Sequence, residues 1–187
     1  MDLAGVKALL SAHARRWPAD AERAVRIVEF IGAHRDCLLR TCVPGHLTGS
    51  AWILSPDHAS VLLVHHRKLG RWLQPGGHAD GDADLFQVAI REAQEETGLR
   101  SFTTRPGGDP PAPLDLDIHE IPAHGGEPPH LHLDVRFLLV AAPGEIPQAS
   151  EESTAVRWVR RERVGEYSEE ESLQRMERRA REVLGQL

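Results

Sequence analysis

Cysteine is nearly absent from this chain: Cys37 and Cys42 are the only two among 187 residues. Two are too few for a disulfide framework, and they lack the paired spacings of a cysteine zinc site, so both read as small core or boundary residues. Long apolar runs are missing as well. No stretch approaches the roughly 20 apolar residues that a membrane span requires, so no membrane partner is expected. The opening residues 1–10 are short and mixed and carry Asp2 and Lys7, unlike a signal peptide, which makes a cytoplasmic setting the expectation. A basic surplus is lacking too: 22 Lys and Arg against 28 Asp and Glu leave a formal charge of −6. No nucleic-acid partner is expected, because proteins that bind that backbone usually carry a basic face. A small phosphorylated ligand still fits, since a local site can be positive or metal-filled on an acidic protein. There is no internal repeat.

What remains is an ordinary globular composition, 41% hydrophobic and 27% charged, in a chain long enough to bury a core. Leu3, Val6, Leu9 and Leu10 recur at helical spacing over residues 2–16. Trp17-Pro18 breaks the pattern, and Ala24, Ile27, Val28 and Ile31 stripe a second helix over 19–33. The two form an N-terminal helical hairpin, an extension over residues 1–40 ahead of a domain over 41–187. Its amphipathic stripes suit it to cover the domain's own sheet or a second subunit.

After Pro44-Gly45 the signal changes to strands, over 47–54 and 61–65, joined at Ser55-Pro56-Asp57. Residues 71–74 are a short extended piece ended by Pro75-Gly76-Gly77. A helix over 84–97 stops at Gly98, where a helix usually ends. A Gly- and Pro-rich loop over 106–113 follows, then strands over 114–121 and 130–141 linked by the proline-containing residues 122–129. A short strand over 155–159 and a charged helix over 168–184 complete the chain. The order is mixed α+β with a central helix between strands.

That central helix carries the chemistry. Glu92, Glu95 and Glu96 are spaced i, i+3, i+4 and project from one face, where their charges repel. Mg²⁺ or Mn²⁺ would relieve the repulsion, being hard cations that prefer oxygen ligands and complete their shell with substrate phosphates. Taken alone, an acidic helix face is the ordinary solvated surface of a helix. Two features set this one apart. Leu85, Val88 and Ala89 or Ala93 make the opposite face apolar, and Gly76-Gly77 upstream lets the backbone turn tightly and approach the same ion with a carbonyl.

The segment resembles the signature of the Nudix family. Gly77 matches its opening glycine, and Arg91, Glu92, Glu95, Glu96, Gly98 and Leu99 match its closing run at the family's intervals. The motif covers Gly77 to Leu99, and the flanking strand pattern extends the resemblance over residues 41–163. One departure stands out: Ala83 occupies the position where the family usually has a glutamate that braces the loop and pairs with the helix arginine, here Arg91. Asp82 or Asp84 could supply that charge only along a different loop path.

The resemblance implies an α/β/α sandwich with a mixed central sheet. It implies hydrolysis of a phosphoanhydride in a nucleoside diphosphate joined to another group, such as a nucleotide sugar or a nucleoside triphosphate. Glu92, Glu95 and Glu96 would hold Mg²⁺ or Mn²⁺ with the Gly76 carbonyl, and a later loop containing Glu151 and Glu152 would add a base or ligand, here assigned to Glu152. Either Glu92 is the general base or it is a ligand. Family habit also implies a homodimer. A different class, a nucleotide-binding or sensor module without turnover, is motivated by Ala83 and opposed by the intact glutamates.

Histidine is frequent, at 11 residues. His66 and Arg67 end a strand before the glycine loop and read either as a grip on the distal phosphate or as an exposed hairpin tip. His78 reads as a contact to phosphate or as a structural loop residue. In residues 130–137, His130, His132, Asp134 and Arg136 share one strand face, which either meets solvent or lines a substrate cleft. Trp52 and Trp72 read as core, with base stacking as the alternative.

Overall fold

Strand β1 (Gly45–Leu54) is buried at every position and organises the chain around it. The computed structural model describes residues 1–104, 112–123, 126 and 128–185. Most of the expected 106–113 loop and part of the 122–129 connection therefore lie outside the described residues. Helices α1 (Leu3–Arg16) and α2 (Ala21–Ala33) precede β1. Strands β2 (Ser60–His66), β3 (Arg71–Leu73) and β4 (Gly76–His78) lead to helix α3 (Leu85–Thr97). Strands β5 (Phe102–Thr103), β6 (Asp115–Ile121), β7 (His130–Ala141) and β8 (Ser153–Arg160) follow, then helices α4 (Val164–Tyr167) and α5 (Glu171–Val183).

The strands form one mixed sheet. β7 runs parallel to β1 along its whole length, from Gly45 opposite Leu131 to Leu54 opposite Val140. β6 pairs antiparallel with β7. β2 pairs with β1 only at Ile53 and Leu54, then runs with β3 and β8. The length of β1 that β2 leaves free takes β4, with Thr48, Gly49 and Ser50 opposite His78, Gly77 and Gly76. Gly76-Gly77 is thus strand, whereas the sequence alone reads as a turn. The glycines serve close packing: a Cβ on Gly76 would lie 2.1 Å from the Ser50 hydroxyl.

Alternation along β1 and β7 builds the two faces. Leu47, Ala51, Ile53, Leu133, Val135, Phe137 and Leu139 share a core with Leu85, Val88, Ala89 and Ala93 of α3. The same core contains Val6, Leu9, Leu10, Ala24, Ile27 and Ile31, so the N-terminal hairpin covers its own sheet. Asp2 caps α1 by accepting from the Gly5 N–H at 2.8 Å, and Pro18 opens a short 3-10 turn before α2. On the other face Trp52, Leu54, Val61 and Leu63 pack against Leu173, Met176, Ala180 and Val183, which cluster there with α5. The architecture is the α+β sandwich that the resemblance implied, and Trp52 is fully buried in it.

Part of that second face is polar yet buried. Thr48 and Ser50 donate to Asp134 at 2.9 and 2.8 Å, and Arg136 donates to Asp134, Asp115 and Asp117 at 2.7, 3.2 and 3.0 Å. Arg175 of α5 donates to both Asp115 oxygens, at 2.8 and 2.9 Å, and Arg179 bonds Asp115 as well. Arg179 then reaches Asp20 at 2.7 Å, and Asp20 meets His13 of α1, also at 2.7 Å. Opposite charges in a low-dielectric layer thereby tie the hairpin, α5 and the central strands together.

Burial alone would raise the Asp20 pKa, but His13, Arg179 and Arg23 outweigh it and hold the carboxyl well below the ordinary carboxylate range. A depressed folded pKa gives stability that is complete above the unfolded value, about 3.9, and is lost as pH falls through the folded one. We therefore expect the urea midpoint to drop as pH falls below about 4, with a shallower dependence in Asp20→Asn. An unchanged slope in that variant would place the acid sensitivity in other carboxylates.

Candidate active site

Helix α3 is set firmly. Asp84 accepts from the Gln87 N–H at its start, and Gly98 closes it in the left-handed conformation at φ 70°, which glycine adopts without strain. Its apolar stripe lies on the sheet, which leaves the glutamates toward β4. They are unequal. Glu95 is exposed, Glu92 is half-buried and Glu96 is only 6% exposed.

Glu96 accepts the Gly76 N–H at 2.8 Å, its one hydrogen-bond donor among the described residues. Burial pushes its pKa up to about 8, helped by the charges of Glu92, Glu152 and Glu95, while the Gly76 bond opposes the rise. Burial likewise raises Glu92; Arg91 pulls it down, and Glu95 and Glu152 add to the rise. A carboxylate offers about four acceptor positions, so a buried one with a single donor has capacity left for a cation. The donor set is all oxygen and anionic, which fits a hard divalent ion.

A Cβ on Gly77 would lie 2.4 Å from a Glu92 carboxylate oxygen. Gly77→Ala should therefore displace that carboxylate by about an ångström and lower turnover roughly 100-fold. Steady-state kinetics alongside an unchanged melting temperature would show this, and near-normal turnover would mean that the Glu92 position is not critical.

Arg91 donates to the His78 carbonyl at 2.7 Å and to Glu92 at 2.8 Å. Neither Asp82 nor Asp84 replaces the glutamate missing at Ala83. Asp82 accepts the Asp84 N–H and Asp84 caps α3, while Ala83 packs against the core. The loop acid that Arg91 feels is Asp80, which Arg40 clamps with two bonds of 2.8 Å.

The remaining candidates fall into two places. The charge of Glu152 is felt by Glu92, Glu96 and His66, and Arg67 braces its loop by donating to the Glu151 and Ser153 carbonyls at 2.9 and 3.0 Å. The His66 ring accepts the Leu69 N–H. His78 and His132 instead face each other, ring centroids 5.0 Å apart, in a histidine cluster centred on His46. Along this face of β7, Asp134 and Arg136 are buried and His130 and His132 are half-buried. Trp72 makes edge contacts with His65 and Tyr167.

Sequence reading missed His46 and the buried partners Asp20, Asp115, Arg175 and Arg179. The alternation of His46, Thr48 and Ser50 along β1 was the available signal for the first. Nothing local marks the others.

The glycine-backed carboxylate helix and its sheet define a class. The NUDIX domain family matches residues 46–184, and the chain belongs to that family. It is 35% identical over 65 residues to a Xenopus laevis protein named nucleoside diphosphate-linked moiety X motif 6, a match covering 32% of this chain and 30% of that one. It is 27% identical over 121 residues to a probable DHNTP pyrophosphohydrolase of Lactococcus lactis subsp. cremoris (strain MG1363), covering 63% and 68%. Among solved structures, a C. elegans Ap4A hydrolase binary complex superposes with TM-score 0.59 at 18% identity, covering 75% of this chain and 98% of that one. The M. smegmatis Nudix hydrolase RenU gives 0.54 at 24% identity, covering 76% and 87%. These two likenesses show a shared fold.

Proposed function

We propose that this Nudix pyrophosphohydrolase cleaves a phosphoanhydride bond in a nucleoside diphosphate joined to a second group, of the nucleotide-sugar or nucleoside-triphosphate type. The observation that carries the reading is the buried, under-bonded Glu96 carboxylate beside Glu92 and the bare backbone of Gly76-Gly77. Relatives named for a nucleoside diphosphate-linked moiety and for DHNTP support the substrate class.

Glu92, Glu95 and Glu96, with the Gly76 carbonyl and Glu152, would hold Mg²⁺ or Mn²⁺. A divalent ion held there would supply charge to neutralise phosphate oxygens and to lower the pKa of an attacking water. Arg91 holds Glu92 in place, Gly77 leaves the room that its carboxylate occupies, and Arg67 secures the loop of Glu152. A carboxylate near the attacking water, Glu92 or Glu152, would accept the proton released when water attacks phosphorus and the bridging P–O bond breaks. His66, on the Glu152 side, would meet the outer phosphate.

A second reading, nucleotide binding without turnover, rests on Ala83, which leaves Arg91 without its usual family partner. Purified protein with Mg²⁺ or Mn²⁺, offered nucleotide sugars, dinucleotides and triphosphates, separates the two. Identified cleavage products establish the hydrolase and its substrate, whereas tight binding with no product from any compound establishes the binding module.

A further inference from the structure

Five histidines converge on the sheet. His46 of β1 lies ring to ring with His78, His130 and His132 at 4.8, 5.0 and 4.9 Å, and His119 lies 5.4 Å from His132. Strand register causes this: His46 is opposite His132 across the parallel β1–β7 pair, and His119 is opposite His132 across β6–β7. His46 is 2% exposed; the Cys42 backbone acts on its ring, but neither ring nitrogen reaches hydrogen-bond geometry with a described residue, nor does Nε2 of His132. Buried polar atoms are ordinarily paired, as the neighbouring Asp134 and Arg136 are, so these nitrogens call for a ligand.

The geometry points to a transition-metal site at His46, His130 and His132, of the kind that Zn²⁺ fills, separate from the carboxylate site. One donor atom from each ring lies within 4.8 Å of the others. Nitrogens at about 2.0–2.1 Å from a tetrahedral Zn²⁺ are about 3.4 Å apart, so modest ring rotation closes the set. The Nδ1 of His130 lies 3.0 Å from the Pro128 carbonyl; a carbonyl only accepts, so Nδ1 carries the proton and Nε2 keeps its lone pair for a metal. The His78 ring stands beside the trio, 4.8 Å from His46 and 5.0 Å from His132.

Imidazole suits zinc, copper or nickel, whereas the all-oxygen glutamate set suits magnesium or manganese. Burial lowers the pKa of the His46 and His132 rings, which favours their neutral form. Neutral imidazole is the form in which histidine binds a metal. The two sites leave β4 on opposite sides, because Gly77 backs Glu92 and the adjacent His78 points to the other face.

The test uses the full chain, stripped of metal and returned to saturating Mg²⁺. Calorimetry with Zn²⁺ should show one equivalent bound, and Co²⁺ should give the intense visible absorption of a tetrahedral nitrogen site. His130→Ala, at a partly exposed position, and His132→Gln should each weaken Zn²⁺ binding more than about tenfold, with unchanged circular dichroism. Glu92→Gln should leave it unaltered. Absence of Zn²⁺ binding by the unaltered chain overturns the proposal. So does affinity that survives both histidine changes and falls in Glu92→Gln, or in Cys42→Ser, since His34, Asp36 and Cys42 also bring donors together. Hydrolysis is read separately, so this site and the proposed reaction can each fail alone.

Discussion

Glu96→Gln is expected to lower kcat by roughly 10³-fold, within the range for losing a catalytic acid–base group or a metal's charge partner. The substitution separates charge from shape. A glutamine amide oxygen can still accept the Gly76 N–H that now bonds Glu96 at 2.8 Å, so β4 and α3 keep their spacing. What disappears is the negative charge in a position that is 6% exposed, where water cannot stand in for it. Where Glu96 is ionised, above its raised pKa of about 8, the change also relieves repulsion with Glu92, Glu152 and Glu95. Without metal the variant should be at least as stable as the parent, and added Mg²⁺ should raise its melting temperature less. Turnover within threefold of the parent would remove Glu96 from the reaction and return the acidic face to an ordinary helix surface.

Asp115→Ala should destabilise the fold by about 3–5 kcal/mol, because it strands buried positive charge. Asp115 is fully buried and bonds Arg136, Arg175 and Arg179. In a chain of this size such a loss lowers the melting temperature by roughly 6–20 °C. The exposed pair Arg71–Glu170, at 3.1 Å with side chains 63% and 35% exposed, contributes about 1 kcal/mol or less, since solvent screens it. Differential scanning calorimetry of Asp115→Ala and Glu170→Ala side by side checks the contrast. Equal, small shifts in both would show that water reaches the arginines and that the buried chain of charges is not a brace. A large shift should also loosen the hairpin, because Arg179 joins Asp115 to Asp20, and limited proteolysis near Trp17 would detect it.

Much of the active-site helix was legible because its signals are local. The three glutamates follow from the helical repeat, Gly98 from the φ that a helix end demands, and the apolar stripe from the face that must leave water. The clean alternation over 130–137 identified a polar face of β7 but not its surroundings. Whether Asp134 and His132 meet solvent depends on β1, β6 and α5, which strand pairing and packing bring together, and no local pattern records which of them arrives.

The sequence by itself determined the carboxylate ridge, the glycine pair before it and the periodicities of helix and strand, since each depends on the geometry of a few consecutive residues. Only tertiary structure decided that Glu96 turns inward while Glu95 stays in water, that Gly76-Gly77 is a strand, and that Asp20, Asp115 and Arg179 meet. It also gathered the histidines, through the parallel register of β1 with β7. These are matters of burial and long-range pairing, in which a charge or ring acquires its energy from partners that the chain brings together only once it is folded.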